Sequence, residues 1–140
     1  MSARFFLDTN VFVYSFDASS PAKQKKARDL IDRALSTRGG LVSYQVVQEF
    51  LNVALRKFEM PLTPHEGRSY LDQVLAPLCE VFPTMRLYQR ALDLKSEMNI
   101  HFYDALVIAS ASEAGCKILY TEDLQHDQRV AGLVIQNPFL

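Results

Sequence analysis

Short apolar runs alternate along the chain with longer segments in which apolar residues recur every three or four positions. The runs at residues 5–7, 41–43, 80–82, 117–120 and 133–135 predict short buried strands, because they are compact and bounded by turn-forming residues. Strands that alternate with helices are typical of a parallel sheet with helices on both faces and right-handed crossovers. The pattern therefore predicts an α/β fold in three layers, α/β/α, with a short, mostly parallel central sheet of about five strands.

Segments with helical spacing lie between the predicted strands. Ser20 and Pro21 suit the N-cap and the first position of one helix, and Thr63 is expected to cap another. Gly115 is expected to end the last helix, which is apolar nearly all round and should be the central buried one. A short helix or turn is predicted at residues 11–16, and longer helices at 21–37, 44–58, 64–75, 85–98 and 102–111.

Composition limits the class of protein. A chain of 140 residues fits one domain, residues 1–140, and an apolar fraction of 49% is typical of a globular chain. A net charge of −1 excludes a global basic field, so any nucleic-acid site must be a local patch. Cys79 and Cys116 lie far apart, which argues against a metal knuckle and against a disulfide-rich secreted fold. With no secretory or membrane-spanning apolar segment, we expect a soluble, cytoplasmic protein that binds no membrane.

Four acidic residues occupy positions where chemistry is expected in such a sheet. Asp8 and Asp123 follow the carboxyl ends of two predicted strands, where ligands bind in open α/β sheets. Asp104 opens the helix before the second of these strands, and Glu49 lies on the helix after strand two. Each also has a structural interpretation: Asp8 and Asp104 as helix-capping carboxylates, and Glu49 as a surface residue beside an apolar stripe.

Convergence of several carboxylates favours a cation. Carboxylates that share a site repel one another unless they stay protonated or bind a metal ion. Oxygen ligands suit Mg²⁺ or Mn²⁺, while His65, His101 and His126 lack the spacing of zinc ligands. Such a site suits phosphodiester hydrolysis, in which metals activate a water and stabilise the leaving oxygen.

Four segments, taken together, resemble the PIN-domain family, and most of all the VapC-type toxins of bacterial type II toxin–antitoxin pairs. They are Leu7-Asp8-Thr9-Asn10, Glu49 after Ser43, Tyr103-Asp104-Ala105-Leu106 and Thr121-Glu122-Asp123-Leu124, in that order over nearly the whole chain. The resemblance implies a PIN-like fold and an endoribonuclease.

The resemblance also implies roles for individual residues. Asp8, Glu49, Asp104 and Asp123 would form the catalytic acidic site for Mg²⁺ or Mn²⁺. Asn10 and Thr121 would support its carboxylates or a bound water, and Asp127 would be an outer ligand. Members of the family cleave RNA, often tRNA or rRNA, usually as homodimers, and a cognate antitoxin covers the site. In-line attack by a metal-activated water on an RNA phosphate would leave a 5′-phosphate and a 3′-hydroxyl.

A cationic face on the helix at residues 21–37 is a candidate for phosphate contacts. Lys23, Lys25, Lys26 and Arg28 form a strip there, although such a face is also typical of a solvated helix surface.

Other functions stay open at this stage. A haloacid-dehalogenase-like phosphatase also begins with a strand and Asp, but it needs a second Asp where this chain has Asn10. A receiver domain of two-component signalling would need paired acids and a late Lys. A PIN nuclease that processes RNA without an antitoxin, and a non-catalytic metal-binding interaction domain, are further alternatives.

Overall fold

The computed structural model describes residues 3–140, and its centre is a six-stranded sheet in the order β3-β2-β1-β4-β6-β5. Neighbouring strands run parallel, except that β5 pairs with β6 antiparallel. The predicted α/β class and mostly parallel sheet are therefore confirmed. The strands are β1 (Phe5–Leu7), β2 (Gly40–Ser43), β3 (Cys79–Val81), β4 (Ile118–Tyr120), β5 (Arg129–Val130) and β6 (Leu133–Gln136).

The sixth strand, β5, is the one that the sequence pattern did not predict. It has only two residues, too few to show an alternating pattern, and it forms a hairpin with β6. Ala131 and Gly132 between them have φ values of 52° and 81°, as a tight two-residue hairpin turn requires.

Helices occupy the connections between the strands. Thr63 is the N-cap of its helix, as the sequence predicted, and it forms a capping box with Glu66. Ser20 is also an N-cap, as predicted, but its side chain makes no capping hydrogen bond. A single π-helical turn, Leu71–Leu75, joins two of the helices, so the segment predicted to end near residue 75 continues to Leu78. The helices are α1 (Thr9–Tyr14), α2 (Pro21–Thr37), α3 (Tyr44–Arg56), α4 (Pro64–Tyr70), α5 (Ala76–Leu78), α6 (Met85–Met98) and α7 (Phe102–Glu113).

Helix α7 is the buried helix that its apolar sequence predicted. Its residues from Ala105 to Ala111 are all buried, and it packs against β2, β4 and β6 on one side and against α6 on the other. Gly115 follows its end with a φ of 75°, which confirms the predicted C′ position. Within residues 3–140, no helix is both long enough and apolar enough to cross a membrane.

The strand order creates a crevice at the carboxyl end of β1. β1 has β2 on one side and β4 on the other, so the chain leaves it towards opposite halves of the sheet. In open α/β sheets, such a switch point separates the loops at the carboxyl ends and leaves a crevice between them. The residues that follow β1 and β4, Asp8 and Thr121, line this crevice.

Gly40 permits the close approach of α2 to the sheet. A Cβ added there would overlap the Cβ of Ala34 and lie 2.8 Å from its Cα and 2.7 Å from Cε2 of Phe5. We expect Gly40→Ala to lower the free energy of unfolding by about 1–3 kcal/mol, because backbone and a buried ring must move. Urea denaturation measures this, with Gly39→Ala as the control. Equal losses in the two variants would contradict the argument, since the nearest atom to a Cβ at Gly39 is the Thr37 hydroxyl oxygen, at 3.2 Å, and its other neighbours lie at 3.5 Å or more.

Candidate active site

Asp8 is a buried carboxylate fixed at the end of β1. Its backbone N–H donates to the carbonyl of Tyr120 at 3.0 Å, which ties it to the end of β4. Its Oδ1 accepts from the backbone N–H of Thr9 at 2.7 Å, and its Oδ2 accepts from the hydroxyl of Thr121 at 2.8 Å. Asp8 is therefore both the N-cap of α1 and a carboxylate at the crevice, so its two sequence interpretations are compatible.

Thr121 organises the turn that carries Asp123. Its hydroxyl is fully buried and accepts from the backbone N–H of Asp123 at 3.1 Å while it donates to Asp8. The side-chain amide of Asn10 donates to Oδ2 of Asp123 at 3.3 Å and lies 3.4 Å from the Thr121 hydroxyl. These hydrogen bonds hold the exposed carboxylate of Asp123 beside the buried one of Asp8.

The other two predicted acids of the site, Glu49 and Asp104, lie on helices. Glu49 lies on α3, and Asp104 occupies the first turn of α7, where the unpaired N–H groups favour a carboxylate. Gln45, one turn before Glu49, donates from its amide to the carbonyl of Tyr103 at 3.3 Å. This bond joins α3 to the start of α7 and fixes the two acids relative to each other.

The four acids repel one another, and their pKa values show it. Burial raises the pKa of Asp8 to about 7, hydrogen bonds from Thr121 and Thr9 oppose the rise, and the charges of Asp123 and Glu49 add to it. Desolvation also raises the pKa of Glu49 and that of Asp104, and Asp123 raises both further. Asp123 thus acts on each of the other three. We call Asp8, Glu49, Asp104 and Asp123 the acidic cluster.

A model of the PIN domain family matches residues 5–132, most of the chain. The chain belongs to the PIN domain family. No curated protein matches its sequence.

Solved structures share the fold over nearly the full length. A toxin–antitoxin complex from Klebsiella pneumoniae superposes with a TM-score of 0.69 at 18% identity, covering 99% of this chain and 98% of that one. A DNA-bound VapBC complex from Salmonella typhimurium gives 0.67 at 17% identity, covering 96% and 98%. A Mycobacterium tuberculosis VapC toxin described as cleaving the sarcin–ricin loop gives 0.58 at 16% identity, covering 85% and 89%. At these identities the likeness establishes the fold alone.

Asp127 and the cationic strip of this PIN domain have other partners. Asp127 accepts from the amide of Gln136 at 2.9 Å and lies 3.5 Å from the imidazole of His126. In the strip, Lys25 pairs with Asp29, Lys26 donates to the carbonyl of Leu140, and Arg28 donates to that of Ser15. Their roles as outer ligand and phosphate contacts stay predictions.

Lys23, the fourth member of the strip, has a different position. Its ammonium donates to Glu122 at 2.9 Å and to the hydroxyl of Tyr14 at 3.1 Å, and that hydroxyl donates to Glu122 at 2.7 Å. Glu122 precedes Asp123, so this network anchors the turn of the acidic cluster to α1 and α2. The Glu122 hydrogen bond is the main cause of the raised pKa of Tyr14.

Sequence reasoning assigned no role to Gln45, and it placed Thr9 in the first motif without assigning it a role. Thr9 donates its backbone N–H to Asp8. The side chains of Gln45 and Thr9 lower the pKa of Glu49 through hydrogen bonds and so oppose its rise. Gln45 was detectable, because it lies four residues before Glu49 and so shares its helix face.

The donor set fits a divalent cation such as Mg²⁺. Among the described residues, no three Asp, Glu, His or Cys side chains are close enough to hold an ion by themselves. Mg²⁺ does not need such a cage, because it usually keeps several waters and takes one or two carboxylates together with substrate phosphates. Asn10 Oδ1 is buried without a hydrogen-bond partner in the described structure, and the buried hydroxyl of Thr9 has no partner there other than the Glu49 carboxylate. Such acceptors at a set of repelling carboxylates suit a hydrated cation.

Proposed function

We propose that this PIN domain is an endoribonuclease that depends on Mg²⁺ or Mn²⁺ and hydrolyses RNA phosphodiesters. The observation that carries the proposal is the acidic cluster itself: the charge of Asp123 raises the pKa of each of the other three acids, and the buried one, Asp8, has a pKa of about 7. A fold gains no stability from carboxylates that repel one another, so a cation and its phosphate ligand explain the arrangement better than structure does.

The residues of the site would divide the work. The acidic cluster would hold the cation, with Asp8 kept in one orientation by Thr121 and by the N–H of Thr9. When bound, the cation would polarise the scissile phosphate and lower the pKa of an attacking water. Asn10 would keep Asp123 turned towards the site.

We further propose that the protein is the toxin of a toxin–antitoxin pair and a homodimer. Support comes from the fold that it shares with a Klebsiella pneumoniae toxin–antitoxin complex and with an RNA-cleaving Mycobacterium tuberculosis toxin. Production of the chain should arrest bacterial growth, Asp104→Asn should relieve the arrest, and an adjacent small gene should restore growth to the wild type. Growth arrest by both forms would contradict the toxin proposal.

Light scattering tests the homodimer, because it gives the mass of the protein in solution. A monomer would contradict the homodimer.

The enzymatic test is cation removal. Purified wild-type protein and Asp104→Asn are incubated with total tRNA and rRNA in Mg²⁺, in Mn²⁺ or in EDTA. We expect cleavage by the wild type with a cation and none in EDTA, with 5′-phosphate and 3′-hydroxyl ends on the products. Equal cleavage by both proteins would mean a contaminant. Cleavage that persists in EDTA, or 2′,3′-cyclic phosphate ends, would contradict the mechanism.

The cationic strip makes a separate prediction about affinity. Replacing Lys25, Lys26 and Arg28 with Ala should weaken RNA binding and reduce the slope of log K against log salt. Each phosphate contact that is lost lowers the number of counterions released when RNA binds. Binding is measured by fluorescence anisotropy across a range of KCl concentrations in the Asp104→Asn background. Replacement of Arg86 and Arg90 on α6, also exposed, is the control. An unchanged slope for the strip variant would contradict its role.

A further inference from the structure

A groove beside the acidic cluster is lined by aromatic side chains. It has a volume of about 390 Å³ and lies beyond the carboxyl ends of β2 and β3, next to the starts of α3 and α7. Three of its aromatic residues, Tyr44, Phe82 and Tyr103, are 45%, 55% and 66% exposed. The rings of Tyr44 and Phe82 lie 5.1 Å apart. This is a surface on which a flat ligand can stack.

Two buried polar side chains line the same groove. Ser43 is 2% and Gln45 8% exposed, yet Ser43 Oγ and Gln45 Oε1 have no hydrogen-bond partner within residues 3–140. A buried polar atom without a partner costs stability, and in a native structure it calls for an explanation. A ligand that brings hydrogen-bonding groups to the floor of the groove provides one.

The lining is uncharged. None of the described residues that line the groove is Asp, Glu, Lys, Arg or His. A phosphate would find no cation here, and an acidic or basic peptide side chain would find no counter-charge. The ligand group that fits is neutral, flat and edged with donors and acceptors.

The groove adjoins the acidic cluster along α3 and α7. Tyr103 immediately precedes Asp104, and Gln45 lies one turn before Glu49 on α3. The hydrogen bond from Gln45 to the carbonyl of Tyr103 joins the two walls at the boundary between groove and cluster. A chain whose phosphate lies at the acids therefore has a neighbouring residue within reach of the groove.

We propose that this groove binds one nucleobase of a single-stranded RNA segment, next to the phosphate that is cleaved. The inference rests on the proposed ribonuclease function and adds a base subsite to it. The base stacks on the exposed ring of Phe82, which packs against the ring of Tyr44 at an angle of 58°. Stacking on an aromatic ring is the usual way proteins hold unpaired RNA bases. Ser43 and Gln45 contact the edge of the base. A protein segment in the groove is the competing occupant, and the position of the groove beside the acidic cluster favours the base.

The test is a double-mutant cycle on RNA that the wild type cleaves. Once the cleavage position is mapped, each flanking nucleotide in a fluorescein-labelled fragment is replaced in turn by an abasic one. Binding is measured in the Asp104→Asn background with and without Phe82→Ala. Met85→Ala is the control, because Met85 is 76% exposed and is not among the groove residues. Tyr44→Ala is a second groove variant, and thermal melting verifies that each variant folds.

We expect Phe82→Ala to weaken binding of intact RNA by roughly tenfold, in the range for loss of one stacked base. At one position, an abasic nucleotide should weaken binding to the Met85→Ala control by the same factor. The same abasic nucleotide should not weaken binding to Phe82→Ala any further. Additive effects at every abasic position would overturn the base subsite. The base subsite would also be overturned if Phe82→Ala and Tyr44→Ala bound RNA as tightly as the wild type, or if they changed only the self-association of the protein.

These failures differ from a failure of the proposed function. If the wild type cleaves RNA with Mg²⁺ and the cycle shows no coupling, the subsite is wrong and the ribonuclease stands. If the wild type cleaves no RNA with either cation, the ribonuclease proposal falls and the base subsite falls with it.

Discussion

Asp8→Asn is expected to lower RNA cleavage by about a thousandfold or more, as losses of residues in a catalytic set commonly do. The same change should stabilise the fold at neutral pH when no divalent cation is bound. Activity and stability move in opposite directions because the Asp8 carboxylate is buried and faces other acids. Asparagine keeps the shape and can still accept from the N–H of Thr9, but it carries no charge.

The pH dependence gives the sign of the stability effect. The pKa of Asp8 is about 7 in the fold and near 3.8 in the unfolded chain. Between these values the folded state keeps the proton and the unfolded state releases it, so stability falls as pH rises from about 4 to about 7. Below this window the group has no effect, and above it the loss is constant. This difference between the two pKa values corresponds to a loss of unfolding free energy on the order of 4 kcal/mol.

Differential scanning calorimetry from pH 4 to pH 8, with and without Mg²⁺, checks this. In EDTA, the wild type should lose several degrees of melting temperature over this range, and Asp8→Asn much less. Mg²⁺ should restore more stability to the wild type at pH 8 than at pH 5, because it binds the ionised carboxylates. Asp93→Asn, which removes an exposed acid on α6 outside the acidic cluster, is the control. Parallel curves for the wild type and Asp8→Asn in EDTA would contradict the assignment.

Thr121→Val is expected to lower cleavage by about 10- to 100-fold, the usual effect of losing a group that orients a metal-binding residue. It should also cost about 1–3 kcal/mol of unfolding free energy, because the buried carboxylate of Asp8 loses its donor and the N–H of Asp123 loses its acceptor. Thr121 is a positioning residue that acts through Asp8 and Asp123. Its hydroxyl lowers the pKa of Asp8, so without it that pKa should rise further.

The pH–rate profile separates this role from simple packing. The acidic limb of the Thr121→Val profile should move to higher pH, since a less acidic Asp8 ionises later. Thr121→Ser keeps the hydroxyl and should keep the limb in place, with only a small loss of stability from the missing methyl group. If valine and serine lower the rate equally and neither moves the limb, Thr121 serves only to fill space.

The sequence by itself determined the elements and the kind of chemistry. Strands and helices follow from local periodicity, which neighbouring residues encode, so five strands and the buried helix α7 were predictable. Asp8 and Asp123 could be assigned to strand ends because Asp8 follows an apolar run directly and Asp123 follows one after two residues. The order of four short motifs identified the family. The local pattern did not predict β5, since two residues carry no periodicity. It also did not predict the π-helical turn at Leu71–Leu75, since that turn does not interrupt the spacing of apolar residues.

Only the tertiary structure decided how these parts meet. The contact between Asp8 and Thr121 joins residues 113 positions apart, and it depends on β4 lying beside β1, which no local pattern encodes. The raised pKa of Asp8 arises from burial, a property of the whole fold. The Gln45–Tyr103 bond and the aromatic groove likewise depend on how α3 packs beside α7. Periodicity is a property of adjacent residues, whereas the crevice, its electrostatics and its neighbouring groove come from long-range packing.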